Sequence, residues 1–102
     1  MSRHVIWTPG ARADIQQTVE YLSAQSPDYA DKIVERLIAA GEQLGTVQTG
    51  RPGRVPGTYE KSLPDIRFVI AYHIDRSQPD GPVVILNAIH TSRNWPKGAW
   101  PE

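Results

Sequence analysis

Glu60, Arg67 and His90 are the residues of this chain whose types, gathered at one place, could do acid–base chemistry. One group takes a proton from an attacking hydroxyl, another protonates the leaving oxygen, and a guanidinium steadies the charge that builds between the two events. Acting on a 2′-hydroxyl and its phosphodiester, such a trio would cleave RNA. Each residue also has a plainer reading. His90 ends an apolar stretch and can be a strand-end histidine bonded to backbone, while Glu60 and Arg67 can form a surface ion pair of small energetic consequence.

A second group of residues suits binding rather than proton transfer. Residues 50–60 read GRPGRVPGTYE, so Arg51 and Arg54 sit among glycines that expose backbone N–H groups. That arrangement fits an anion or an acidic partner. It lacks the strand-to-helix context and the Lys-Ser/Thr ending of a phosphate-binding loop, which excludes that motif. Arg93 and Trp95 follow the last apolar stretch, and both types are over-represented at interface hot spots; Trp95 can equally close the core. The three histidines, His4, His73 and His90, have no ligand spacing and there is no cysteine, so neither a metal nor a cofactor is expected. Tyr21, Tyr29 and Tyr72 are read as core or rim aromatics.

These residues must be positioned by a small scaffold. His4 to Thr8 predicts a short first strand, and Thr8-Pro9 predicts a helix start, a side-chain cap followed by a residue whose missing N–H costs nothing there. Ala11, Ile15, Thr18, Val19 and Leu22 recur at helical spacing to about Gln25. Ser26-Pro27-Asp28 repeats the start, and Ala30, Ile33, Val34, Leu37, Ile38, Gly41 and Leu44 form a stronger stripe ending near Gly45. Two starts this close predict a helical hairpin. Thr46 to Thr58, rich in Gly and Pro, predicts a long irregular loop of the kind that carries function. Tyr59 to Leu63, Ile66 to Asp75 and Val83 to His90 predict three strands in a meander, with turns at Pro64-Asp65 and around Pro79-Asp80-Gly81. The expected architecture is α+β, in the order βααβββ, with the hairpin on one face of a small, mainly antiparallel four-stranded sheet.

Register follows from the turns. Centring the second turn between residues 78 and 79 puts Tyr72 opposite Ile85, Phe68 opposite Ile89 and Arg67 opposite His90. Closing the first turn with Leu63 and Ile66 puts Glu60 opposite Val69. Glu60, Ser62, Arg67 and His90 then converge on one side, with Phe68, Ile70, Tyr72 and Ile74 facing the helices. A slip of one residue would turn either strand over.

Size and charge narrow the function classes. A chain of 102 residues predicts a single domain over residues 1–102 with one core shared by two layers. Residues 1–50 carry four Lys/Arg against six Asp/Glu, and residues 51–102 seven against five, a zero total that argues against non-specific nucleic-acid binding. Absent cysteine suits a reducing compartment, and the first twenty residues hold no apolar run, so an intracellular, cytoplasmic protein without membrane contact is expected.

With those residues in place, the chain resembles the ParE branch of the RelE/ParE toxin superfamily. The likeness runs from Trp7-Thr8-Pro9-x-Ala11-x-x-Asp14-Ile15 through Tyr21-Leu22, Gly50-Arg51-x-Gly53-Arg54-x-Pro56-Gly57-Thr58, Val69-Ile70-x-Tyr72 and Ile85-Leu86 to His90-x-x-Arg93-x-Trp95-Pro96. It rests on the order of motifs rather than on any one of them. The resemblance implies a βααβββ toxin of a type II toxin–antitoxin module, held inactive by a cognate antitoxin whose C-terminal segment wraps around it. It further implies DNA gyrase as target, without hydrolysis and without sequence-specific DNA binding by the toxin alone. RelE-like relatives instead cut messenger RNA on the ribosome, often with a Tyr or a His-Tyr pair near the end of the last strand. Here Thr91 follows His90. Glu60, Arg67 and His90 resemble positions used by some ribonuclease members, so that alternative stands beside the gyrase reading, with a non-toxic binding module as a third. Tyr59-Glu60-Lys61 departs from the Arg-Glu pair and apolar residues common in ParE sequences.

Overall fold

The computed structural model describes residues 2–91. Its elements are β1 (Val5–Trp7), α1 (Pro9–Ser23), α2 (Pro27–Gln43), β2 (Arg51–Pro52), β3 (Tyr59–Leu63), β4 (Phe68–Ile74) and β5 (Val83–His90). Both helix starts form as their sequence signatures require: the Thr8 side chain accepts the Ala11 N–H, the Ser26 side chain accepts the Tyr29 N–H, and each helix opens on proline.

The sheet has five strands in the order β1-β5-β4-β3-β2, one more than expected because Arg51–Pro52 pairs with Tyr59 and Glu60 at the edge. Only β1 runs parallel to its neighbour, β5. The helical hairpin covers one face. Its buried side chains Ile33, Leu37, Ala40 and Leu44 pack with Leu63, Phe68, Ile70, Tyr72, Val83 and Ile85 from the strands. Ile38, read as part of the α2 stripe, is 43 % exposed, because one residue past Leu37 turns it about 100° around the helix axis and off the buried line.

Trp7 is seated against α2 at Gly41, where an added Cβ would lie 2.4 Å from the indole ring. Glycine inside a helix costs about 1 kcal/mol of propensity relative to alanine, and here the missing side chain admits the indole. The indole Nε1 also donates to Glu42 at 2.7 Å, which ties β1 to the end of the hairpin. No described helix is long and apolar enough to cross a membrane.

Of the two register expectations, the first fails from its turn onward, while the second holds at its turn and fails only beyond Tyr72. Leu63 pairs with Phe68, so the first turn has four residues, and Glu60 lies opposite Ala71 rather than Val69. A shift of two residues keeps each side chain on its own face. The second hairpin starts in the expected register, with Tyr72 opposite Ile85, but a β-bulge at Ala71/Tyr72 sets Ala71 opposite Asn87 and Phe68 opposite His90. From Asn87 onward β5 is therefore turned over relative to the expected pairing.

Contacts at the β5 edge accommodate the bulge. After Trp7 the chain leaves β1 and becomes α1, whose first turns run beside the rest of β5. The Thr8 hydroxyl sits 2.8 Å from the Ile85 carbonyl oxygen and 3.1 Å from that of Leu86. Two consecutive carbonyls thus point at the same edge, which a regular strand does not allow. One turn further along α1, Asp14 Oδ2 accepts the Ala88 N–H at 2.9 Å and the Asn87 side-chain amide at 3.0 Å. A helix side chain there satisfies an edge donor that a longer β1 would have taken.

Candidate functional site

Glu60, Arg67 and His90 do not form one site. Pairing puts His90 on the same face as Phe68, the helix side, where its ring meets Phe68 edge-on at a centroid distance of 5.2 Å. Glu60 points to the other face, in the cross-strand row of Ala71 and Asn87. The two rows are three residues apart along β3, about 10 Å at strand rise. Arg67 is not in a strand: it holds a left-handed φ of 60° in the turn before β4, and its carbonyl accepts the Thr91 N–H at 2.8 Å. The expected convergence on one sheet face is corrected by the bulge and by the longer turn.

Glu60 has other partners. Its side chain is 6 % exposed, and Oε2 accepts the Arg54 backbone N–H at 2.8 Å and the Arg54 Nε–H at 3.3 Å. Arg51 Nη2 lies 4.0 Å from Oε1. The residues read as a binding loop and the carboxylate read as a general acid or base are thus one cluster, an arrangement hidden in the sequence because Arg51 reaches Glu60 only through β2–β3 pairing. Gly50 makes the approach possible: its φ is 130°, and a Cβ there would lie 2.7 Å from the Glu60 carbonyl oxygen. Two guanidiniums thus stand around one buried carboxylate. The Arg51 side chain, 76 % exposed, is the accessible one of this cluster.

His90 instead lines a cleft of about 350 Å³ between the hairpin and the sheet, together with Tyr21, Leu22, Tyr29, Ile33 and Phe68. Tyr21 and Tyr29 are rim aromatics, 69 % and 53 % exposed. Tyr72, by contrast, is a core residue stacked on Tyr59 at 5.5 Å, and burial, with Tyr59 beside it, pushes its phenol above the ordinary range. Its hydroxyl donates to the Thr49 carbonyl and anchors the start of the 50–58 loop. Sequence reading passed over Asp14, although it stands within the first motif; its hydrogen bonds to residues over seventy positions away leave no local signal. Among the described residues no three His, Cys, Asp or Glu side chains gather as metal ligands would. Arg93 and Trp95 lie outside the described residues.

The sequence and the fold are similar to those of known proteins. Residues 5–95 match the family model for the ParE toxin of the type II toxin–antitoxin system, parDE. A candidate toxin of Sinorhizobium fredii, Y4kP, is 35 % identical over 99 residues, spanning 95 % of this chain and 98 % of the relative. The fold is similar to that in the chromosomal ParDE system from P. aeruginosa, with a TM-score of 0.75 at 24 % identity, covering 87 % of this chain and 96 % of that one. It is also similar to a chain of the RelBE2 toxin–antitoxin complex from Mycobacterium tuberculosis, with a TM-score of 0.64 at 22 % identity over 88 % and 92 % of the two chains. Identities this low speak to fold alone, whereas the family model and the Sinorhizobium relative reach nearly the whole sequence. This chain belongs to the ParE family, the toxins of type II toxin–antitoxin systems.

Proposed function

We propose that this ParE-family toxin acts by binding DNA gyrase, not by cutting RNA, and that a cognate antitoxin neutralises it in the cytoplasm. The observation that supports the reading is the separation of Glu60 and His90 onto opposite faces of the sheet, with Arg67 held in a turn. A general base and a general acid must each come within hydrogen-bond reach, about 3 Å, of its own atom on one bound substrate, which residues on opposite faces of a sheet do not do. Instead, Glu60 is engaged by the loop arginines, and Arg51 and Arg54 join Arg93 and Trp95 as candidate anchors for the target. The antitoxin is inferred from the family and from the toxin–antitoxin complexes whose folds are similar.

Two assays on purified protein test it. Gyrase supercoiling should fall or cleaved DNA should accumulate, and both effects should vanish when antitoxin is added, while ribosome-bound messages stay intact. Codon-positioned cuts in those messages, lost in Arg67→Ala or His90→Ala, would overturn the gyrase reading in favour of a ribonuclease.

A further inference from the structure

Glu60 is an unusual place for a carboxylate. It is as buried as the core residues but lies outside the core cluster, on the face turned away from the helices. Burying a charge without partners is costly, so its surroundings must supply them. One of them is main chain: the Arg54 N–H, at 2.8 Å, fixes the path of the backbone and not only a side chain.

The segment it holds is also paired to β3, at Arg51 and Pro52. β2 is two residues long, at the edge of the sheet, and a strand of that length adds few ladder bonds of its own. The Gly53 N–H bonds to the Thr58 carbonyl at 2.8 Å, so the backbone of Pro52, one residue earlier, turns away from β3. Proline has no N–H to offer there. The edge thereby lacks a donor for an added strand, and the side chain the loop exposes most is that of Arg51.

We propose that Glu60 is the positioning residue of this loop: its buried carboxylate locks residues 51–54 in one conformation, so that Arg51 and Arg54 meet the target already ordered. A preordered loop avoids the entropy cost of immobilising it on binding. The proposal rests on the reading above that these arginines touch the target.

The test separates the two ideas by measuring the loop and the target independently. In Glu60→Gln the shape persists and the charge is lost, so amide exchange at Arg54 should speed up about tenfold or more, the ratio given by about 1.4 kcal/mol. Core amides at Ile70 and Ile85 should exchange as before. Gyrase inhibition should weaken by about the same factor. Glu60→Asp, which keeps the charge but is one methylene shorter, should fall between and carries the test if Glu60→Gln does not fold. Unchanged exchange at Arg54 overturns the proposal, as does acceleration spread over the core amides, which would make Glu60 a general structural residue. Faster exchange with undiminished gyrase inhibition, where Arg51→Ala/Arg54→Ala does reduce it, also overturns it. If the wild-type protein leaves gyrase untouched, the target reading fails by itself, and the exchange rates alone decide whether Glu60 locks the loop.

Discussion

Phe68 and His90 lie directly opposite each other on β4 and β5, with rings 5.2 Å apart and nearly perpendicular, on the side of the sheet that faces the helices. An imidazole in that position is part of a cleft wall built with Tyr21, Leu22, Tyr29 and Ile33. The edge-on contact with Phe68 gives it a packing role. Glu60, on the other face, answers to Arg51 and Arg54. Binding and proton transfer therefore make different demands on these residues, and substitution separates them.

His90→Ala should leave the protein largely toxic in a growth assay, whereas Arg93→Ala and Trp95→Ala should each weaken it while preserving thermal unfolding and antitoxin binding. Arg51→Ala/Arg54→Ala should weaken it too, but with a lower unfolding temperature, because the buried Glu60 carboxylate loses both guanidiniums. Loss of an interface anchor commonly costs about 2 kcal/mol or more, roughly thirtyfold in affinity, whereas removal of a general acid or base slows chemistry by about 10² to 10⁴. Abolished toxicity in His90→Ala, with fold and gyrase binding intact, would return the case to catalysis.

Asp14 should matter to stability far more than an ordinary helix-surface carboxylate. Asp14→Ala strips the partner from the Ala88 N–H and from the Asn87 amide, which belong to residues only 4 % and 3 % exposed. Each orphaned buried donor costs about 1–3 kcal/mol, so urea unfolding should register a loss of about 2 kcal/mol or more. Asp14→Asn keeps an acceptor oxygen and should lose less. Equal losses in the two variants would mean that charge, not hydrogen-bond satisfaction, is what Asp14 contributes.

The pH dependence of stability should carry a small signature of Asp65. Hydrogen bonding to the Arg36 guanidinium, 2.8 Å away, holds its carboxyl below the ordinary value of 3.8. A depressed folded-state pKa contributes stability that is present above the unfolded value and is lost as pH falls through the folded one. Wild type and Asp65→Asn should therefore differ at neutral pH and converge in acid below pH 3.8. Because the pair is exposed, added salt should shrink the difference. A gap that persists at low pH would point to something other than this ion pair.

Both helices were legible in the chain alone, because caps and apolar periodicity are local: Thr8-Pro9 and Ser26-Pro27 satisfy their own helix ends, and Ile33, Leu37, Ala40 and Leu44 recur every turn. It also determined the extents of Tyr59–Leu63 and Val83–His90, and with them the α+β class. What it did not determine was which way the second half of β5 faces. That depended on a single-residue bulge held in place by contacts across more than seventy residues, the Thr8 hydroxyl beside two successive carbonyls and Asp14 at the Ala88 N–H. Strand periodicity is two, so one inserted residue exchanges the faces of everything after it, and His90 moved from the side of Glu60 to the side of the helices. The fifth strand was decided the same way, since Arg51–Pro52 has no strand pattern of its own and became one only when β3 offered it an edge and Glu60 a charge.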